Sequence, residues 1–247
     1  MSGHSHYATI HRQKELKDAK RGQIFSKLAK EIAIAVKGGG PDPSSNFKLR
    51  VVMDKAKAAN MPKENIERAI TSGSSSAENL EEATYEGFGP SGIAVIVVAT
   101  TDNRNRTGQE IKNLFERAGG NLAGPGSVSF NFENKGFMLV EKTADPESQI
   151  LNLIDLGVED VEETDDGIEV YVAPEKLSEM RKKLEEAGFN ITSTELFMKP
   201  KVLQTIPNPA DAKKALSFLE TLDDQEDTQK VYANLDIPQE VVDQISS

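Results

Sequence analysis

Apolar residues recur at helical spacing in the first third of the chain. Phe25, Leu28, Ile32 and Val36 follow one another at intervals of three or four residues, which places their side chains on one face of a helix. This pattern predicts an amphipathic helix over residues 14–37. The other side of that helix is expected to carry the lysines Lys17, Lys20, Lys27, Lys30 and Lys37.

Two shorter helices are predicted to follow, so that the segment forms a small helical bundle. A stretch rich in Gly, Pro and Ser after residue 37 ends the first helix. The second helix is expected at residues 46–59 and the third at residues 63–70. Pro62 suits the first turn of the third helix, and Gly73 is expected to stop it.

Beyond a Ser-rich linker at residues 72–79, the pattern changes to alternating strands and helices. Residues 92–101 form a nearly continuous apolar run, which is typical of a buried strand. Residues 107–118 have helical periodicity, and residues 127–132 alternate as a strand does. This part of the chain therefore starts an α/β domain.

A complete βαββαβ unit is predicted next, the order of the ferredoxin-like fold. Its strands are expected at residues 137–142, 158–163, 168–173 and 191–198, and its helices at residues 146–156 and 174–187. Asp166 and Gly167 are a hairpin signal between the two middle strands. A strand, a helix and a strand follow at residues 201–206, 209–222 and 228–235. Joined to the elements that precede the unit, these would complete a second βαββαβ set, interrupted by the first.

The predicted fold class is therefore α+β, with an N-terminal three-helix-type domain followed by two ferredoxin-like α/β domains, one inserted in the other. The expected domains are a basic helical domain at residues 1–76, a discontinuous ferredoxin-like domain at residues 80–133 plus 201–247, and an inserted acidic ferredoxin-like domain at residues 134–200. A chain of 247 residues is long enough for domains with separate cores.

Composition argues against several classes of protein. The chain has no cysteine, which removes disulfides, thiolate nucleophiles and cysteine-ligated zinc, and fits a reducing compartment. The longest apolar run, residues 93–99, has the length of a strand, so no membrane span is expected. The polar N-terminus has no signal-peptide pattern. We therefore expect a cytoplasmic protein with no membrane partner.

Charge is divided unevenly along the chain, whose formal net charge is −11. Residues 1–73 hold 14 Lys and Arg against 7 Asp and Glu, a net charge of +7, and the remaining 174 residues hold 15 against 33, a net charge of −18. This division favours one polyanion-binding domain attached to acidic domains. The alternative is that the basic segment is an ordinary solvated surface.

The three histidines, His4, His6 and His11, suggest either a metal site or an arm that contacts nucleic acid. A structural zinc site takes four ligands from a fixed scaffold, and neither a fourth ligand nor a pocket is evident at this spacing. The motif GFGPSG at residues 87–92 matches G-x-G-x-x-G, but it precedes a strand instead of opening a helix, so we interpret it as a turn. We therefore predict no metal, no cofactor, no small-molecule substrate and no enzyme.

A second candidate contact for phosphate follows the buried strand, in the stretch TTDNRNRT. Arg104 and Arg106 are expected to project from the end of that strand, and Thr107 is expected to cap the next helix. The alternative interpretation of this stretch is a solvated loop with a helix cap.

Several motifs resemble those of the YebC/PmpR family: GHSHYATI, DAKRGQIFSKLAKEI, DKAKAANMPKENIERAI, YEGFGPSGIAVIV, TDNRNRT and GGNL…GSVSF. The resemblance extends over nearly the whole chain. One departure is Tyr7, where many members have tryptophan, although an aromatic ring that can stack is retained. The resemblance implies a helical domain followed by two ferredoxin-like domains, one inserted in the other.

The same resemblance implies a cytoplasmic regulator of gene expression. Bacterial members are commonly described as DNA-binding transcriptional regulators, and members are also linked to the ribosome, which they help through proline runs. Mitochondrial members are translational activators of cytochrome oxidase. Three functions stay open: a DNA-binding transcriptional regulator, a ribosome-bound translation factor that contacts ribosomal RNA, and an adaptor whose basic face meets an acidic protein.

The sequence shows neither a dimerising zipper nor a clear recognition helix, which slightly favours the ribosomal alternative. The protein is expected to act as a monomer, with DNA, ribosomal RNA or the ribosome as its partner. The residues predicted to contact nucleic acid are His4, Tyr7, His11, Arg12, Lys14, Lys17, Lys20, Arg21, Lys27, Lys30, Lys48, Arg50, Lys55, Lys57, Arg104 and Arg106.

Overall fold

The computed structural model describes residues 18–75, 80–164 and 166–246, without the side chains of residues 18–20 and 246. The helices in these ranges are α1 (Asp18–Gly39), α2 (Phe47–Ala58), α3 (Lys63–Ser74), α4 (Arg104–Arg117), α5 (Pro146–Asp155), α6 (Leu177–Glu186), α7 (Pro209–Asp223) and α8 (Gln239–Ser246). The strands are β1 (Glu81–Phe88), β2 (Ala94–Thr101), β3 (Asn121–Ala123), β4 (Phe132–Val140), β5 (Asp160–Thr164), β6 (Gly167–Val172), β7 (Ile191–Pro200), β8 (Gln204–Thr205), β9 (Thr228–Ala233) and β10 (Leu235–Asp236).

Helices α1, α2 and α3 pack around one apolar core, and we call residues 18–75 the helical domain. The predicted stripe on α1 is confirmed, since Leu28, Ile32 and Val36 are buried in that core. Helix α2 begins where the sequence predicts, because Asn46 caps it: the side-chain oxygen of Asn46 accepts a hydrogen bond from the backbone N–H of Leu49 at 3.0 Å.

Gly73 lies inside α3 and does not stop it, contrary to the prediction. A Cβ atom at position 73 would lie 2.6 Å from the carbonyl oxygen of Ala33 and 2.9 Å from Cβ of Val36. Glycine is needed here because α1 and α3 approach closely. The Gly at 73 is therefore a packing residue between two helices.

Replacing Gly73 with alanine is expected to lower the free energy of unfolding by about 1–2 kcal/mol, because the backbone of α1 must move to admit the methyl group. Gly22, also helical, provides the control, since a Cβ atom there would meet nothing within 4 Å. Gly22→Ala should raise the stability by about 0.5 kcal/mol through helix propensity. Urea unfolding of both variants measures the contrast, and equal effects at both sites would contradict the packing role.

The next sheet has the strand order β3-β1-β2-β9, with every neighbouring pair antiparallel. We call this unit, with α4, α7 and α8, the first sheet domain. The helices cover one face of the sheet, where Val95, Val97, Phe115 and Leu219 are buried together. The other face turns toward the helical domain and the inserted sheet.

The order of elements in the first sheet domain differs from the predicted βαββαβ. Residues 127–132 do not form a strand of this sheet: they contain a short 3-10 helix, Ser129–Asn131, and the start of β4. Strand β1, which the sequence pattern did not predict, supplies the additional strand of this sheet. It pairs with both β2 and β3. Its sequence, EEATYEGF, has few apolar residues, so its periodicity is weak.

Strands β4 to β7, with α5 and α6, form a second antiparallel sheet in the order β5-β6-β4-β7. We call this unit the inserted domain. Its elements follow one another as βαββαβ, as predicted, and Thr164 pairs with Gly167 across the predicted hairpin. Phe197 of β7 packs on Tyr232 of the first sheet domain, with ring centroids 5.5 Å apart, so the two sheets share apolar contacts.

Candidate nucleic-acid interface

Part of the predicted interface lies outside the described residues. These are His4, Tyr7, His11, Arg12, Lys14 and Lys17, and the side chain of Lys20 is also outside the description. For these positions the nucleic-acid contacts stay predictions from the sequence. The remaining predicted residues divide into those that meet the sheet domains and those that face solvent.

A buried carboxylate, Asp227, joins the helical domain to the first sheet domain. Its Oδ1 lies 2.7 Å from Nζ of Lys30, which reaches across from α1. Its Oδ2 accepts hydrogen bonds from the Thr107 hydroxyl at 2.6 Å and from the Arg106 guanidinium at 3.1 Å. The Asp227 side chain is only 4% exposed, so these donors replace the water that it loses.

The hydrogen bonds also decide the ionisation of this group. Burial by itself would raise the pKa of Asp227, but the hydrogen bonds from Lys30, Thr107 and Arg106 outweigh it and hold the pKa below its usual range. Hydrogen bonds to Asp227 and Asp102 raise the pKa of Arg106. Asp227 is therefore ionised at neutral pH and takes part in ion pairs with two domains.

The arginines after β2 are placed differently from the prediction. Asn103, and not Thr107, caps α4: its side-chain oxygen accepts from the backbone N–H of Arg106 at 3.1 Å. Arg104 and Arg106 therefore lie in the first turn of the helix. Thr107 is fully buried and uses its hydroxyl on Asp227, so this threonine is part of the interdomain contact.

Three further predicted lysines also reach from the helical domain to the sheet domains. Nζ of Lys27 donates to the backbone carbonyl of Asp223. Nζ of Lys48 lies 3.2 Å from Oε2 of Glu82, and Nζ of Lys55 lies 3.6 Å from Oε2 of Glu195. We call Lys27, Lys30, Lys48 and Lys55 the interdomain lysines. Sequence reasoning missed these contacts because their partners lie in distant parts of the chain.

Other basic residues of the helical domain face solvent. Arg21, Arg50 and Lys57 are exposed, and Lys57 pairs within its own helix with Asp54 at 3.3 Å. Two exposed cations that the sequence reasoning did not single out, Lys63 and Arg68, lie on α3. The Lys63 side chain is 89% exposed. These residues can meet a polyanion without any rearrangement of the chain.

A cleft of about 1140 Å³ opens between α1, α3 and the start of α4. Its lining combines basic and acidic side chains: Lys30, Arg68, Arg106, Asp102, Glu226 and Asp227. A polyanion is not favoured by so mixed a surface. The cleft shows instead that the helical domain and the first sheet domain leave open space beside the Lys30–Asp227 contact.

The architecture, a helical domain followed by two antiparallel sheets, is that of a known family of proteins. Residues 5–76 match the TACO1/YebC protein N-terminal domain, and residues 80–235 match the TACO1/YebC second and third domain. The chain belongs to this family. Among the described residues, no helix has the length and apolar character needed to cross a membrane.

Relatives match along almost the whole chain. A protein of Dictyoglomus turgidum is 46% identical over 250 residues, covering 100% of both chains, and one of Geobacillus kaustophilus is 47% identical over 241 residues, covering 96% of this chain and 98% of the relative. Both carry the name probable transcriptional regulatory protein. The crystal structure of a conserved hypothetical protein from Aquifex aeolicus is similar, with a TM-score of 0.87 and 42% identity, covering 95% of this chain and 98% of that one.

Proposed function

We propose that this protein is a nucleic-acid-binding regulator of gene expression that meets its ligand through the helical domain. The observation that carries the proposal is the separation of charge between domains. Residues 18–75 hold 11 Lys and Arg against 6 Asp and Glu, while the chain as a whole has a net charge of −11. A polyanion would therefore be attracted to one domain and repelled by the others.

Two candidate ligands fit this charge distribution. The first is DNA, which agrees with the name of the relatives as transcriptional regulators. The second is ribosomal RNA, with the protein acting as a ribosome-associated translation factor that relieves stalling, for example at proline runs. In both cases binding rests on phosphate contacts, with no catalytic step, cofactor or metal.

One observation favours the second candidate. Helices α2 and α3 are joined by a short turn, as in a helix-turn-helix motif, so α3 would be the helix that reads the major groove. Its exposed charges are Lys63, Glu64, Glu67 and Arg68, which balance one another. A recognition helix with two carboxylates on its exposed surface is poorly suited to lie between two rows of phosphates.

Co-sedimentation with ribosomes, run beside gel shifts on promoter DNA and random DNA, separates the candidates. The translation candidate predicts co-sedimentation that weakens with salt. The DNA candidate predicts a gel shift whose affinity falls by about 0.9 log units per log unit of salt for each neutralised phosphate. Protection of one DNA site by a protein that stays off ribosomes would reject that candidate. Binding to neither ligand would favour the adaptor alternative, in which the basic face meets an acidic protein.

Charge reversal tests the assignment of the helical domain. The double variant Arg50→Glu and Lys57→Glu should weaken binding by at least roughly tenfold, since each change replaces an attraction to phosphate by a repulsion. Both side chains are exposed, so the fold should tolerate them. The matched control is the double variant Lys213→Glu and Lys214→Glu, which makes the same change in net charge at two exposed lysines on α7 of the first sheet domain. Equal loss of affinity in the control and the double variant would place the interface elsewhere.

A further inference from the structure

The lysines that hold the domains together are also lysines that the sequence predicts to contact phosphate. Nζ of Lys30 lies 2.7 Å from Asp227, and Nζ of Lys55 lies 3.6 Å from Glu195. A carboxylate and a phosphate oxygen satisfy an ammonium group in the same way, through a charge-assisted hydrogen bond. A phosphate oxygen would therefore compete with that carboxylate for the ammonium group, and Lys55 would keep Glu31 of its own domain at 3.8 Å.

We propose that closure of the helical domain on the sheet domains competes with nucleic-acid binding, because Asp227 and Glu195 occupy the lysines that a phosphate backbone would need. The inference rests on the proposed function and adds a conformational step to it. In the closed form, carboxylates of the sheet domains pair with the lysines that would otherwise contact the phosphates of the ligand. A bound nucleic acid takes the interdomain lysines and opens the contact.

The structure allows Asp227 to lose Lys30 without being left unpaired. Two of its three side-chain donors come from its own domain: the Thr107 hydroxyl at 2.6 Å and the Arg106 guanidinium at 3.1 Å. Removing the only partner of a buried charge is strongly unfavourable. Here the carboxylate keeps a cation and a hydroxyl, so the domains can separate at this point without leaving an unpaired buried charge.

Glu195 is arranged in the same way. Its Oε2 lies 2.9 Å from Nζ of Lys230, which is closer than the 3.6 Å to Nζ of Lys55. Lys230 is on β9 of the first sheet domain, so it remains with Glu195 when the helical domain leaves. Asp227 and Glu195 therefore each have one cation in the sheet domains that stays paired with them, and one lysine of the helical domain that can be exchanged.

The apolar packing also allows the helical domain to separate from the first sheet domain. Among the described residues, the core of the helical domain and the core of the first sheet domain have no side chain in common. Phe47 of α2 instead packs against the core of the inserted domain. The open cleft beside Lys30 leaves room for movement. Salt screens these partly buried ion pairs less than fully exposed ones, but a polyanion can compete for the partly exposed lysines while it leaves apolar contacts in place.

Opening can be measured by pulsed electron paramagnetic resonance on the full chain. Because the sequence has no cysteine, Ala58→Cys on α2 and Ala210→Cys on α7, both exposed, accept one pair of spin labels. We expect the distance between labels to lengthen when a single-stranded RNA about 20 nucleotides long is added at low salt, a length that spans more than one binding site of typical size. If the RNA binds and the distance stays the same, competition is rejected while the proposed function stands.

The affinity of the same RNA supplies the second test. Glu195→Gln removes one internal competitor and should bind roughly three- to fivefold more tightly than Glu147→Gln, the range expected for loss of one partly exposed ion pair. Glu147 is exposed on α5, so this control makes the same change in net charge away from the contact. Asp227→Asn repeats the comparison at the other acceptor. Equal affinities would overturn the proposal, and a failure of every form to bind either RNA or DNA would overturn the proposed function with it.

Discussion

Asp227→Ala is expected to lower the free energy of unfolding by about 3 kcal/mol, because a buried carboxylate that joins two domains is lost. The change removes one acceptor of the buried Thr107 hydroxyl, which keeps Thr101 at 2.8 Å, and leaves Lys30 half-buried without its carboxylate. Arg106 retains Asp102 at 2.7 Å, so one of the two cations stays paired. Urea unfolding at neutral pH, followed by circular dichroism, measures the loss.

The effect of Asp227 should depend on pH in a defined direction. Burial raises its pKa, but the hydrogen bonds from Lys30, Thr107 and Arg106 outweigh burial, so the folded pKa lies below the ordinary 3.8. Between the two pKa values the unfolded chain binds more protons than the folded one, so stability falls as pH falls. The difference between wild type and Asp227→Ala should be complete above pH 3.8 and should shrink as the pH drops through the folded pKa.

Asp102→Ala is the matched control for this prediction. It removes the other carboxylate that holds Arg106, but the Asp102 side chain is 59% exposed. An exposed ion pair of this kind contributes about 0.5 kcal/mol. If Asp102→Ala destabilises the protein as much as Asp227→Ala, the burial of Asp227 is not the source of its effect.

Glu86→Ala is expected to destabilise the protein by about 3 kcal/mol as well, because one carboxylate satisfies three backbone donors. Its oxygens accept from the N–H groups of Gly126 and Val128 at 2.8 Å and of Ser129 at 2.9 Å. Burial raises the pKa of Glu86, and these hydrogen bonds lower it further than burial raises it. Glu86 therefore stays ionised at neutral pH and fixes the loop that leads into β4.

Hydrogen exchange gives the specific readout for this loop. In Glu86→Ala the amides of Gly126, Val128 and Ser129 should exchange faster, while the amides in the core of α4 should change only with global stability. Glu82→Ala on the same strand is the control, since its carboxylate is half-exposed and pairs with Lys48. Unchanged protection of the three amides would show that the loop holds its position without the carboxylate.

Local sequence patterns predicted the three helices of the helical domain and the βαββαβ order of elements in the inserted domain. The stripe of Leu28, Ile32 and Val36 on α1 needs only helical periodicity, and the Asn46 cap needs only its own side chain and the next turn. Strand β1 and the role of Gly73 were missed for a physical reason. Each depends on a neighbour that is remote in sequence: β2 and β3 for the strand, and Ala33 for the glycine.

For the candidate site too, the sequence determined some properties and the tertiary structure determined others. The sequence by itself determined the excess of basic residues in the N-terminal segment, the acidity of the rest and the absence of cysteine, because these are sums over the chain. The tertiary structure alone decided that Lys30 meets Asp227 and that Lys55 meets Glu195. Charge pairing is set by distances of a few ångström, and the fold brings together residues that lie more than a hundred positions apart. The basic surface that the charge count predicts is therefore partly neutralised in the folded chain by the protein's own carboxylates.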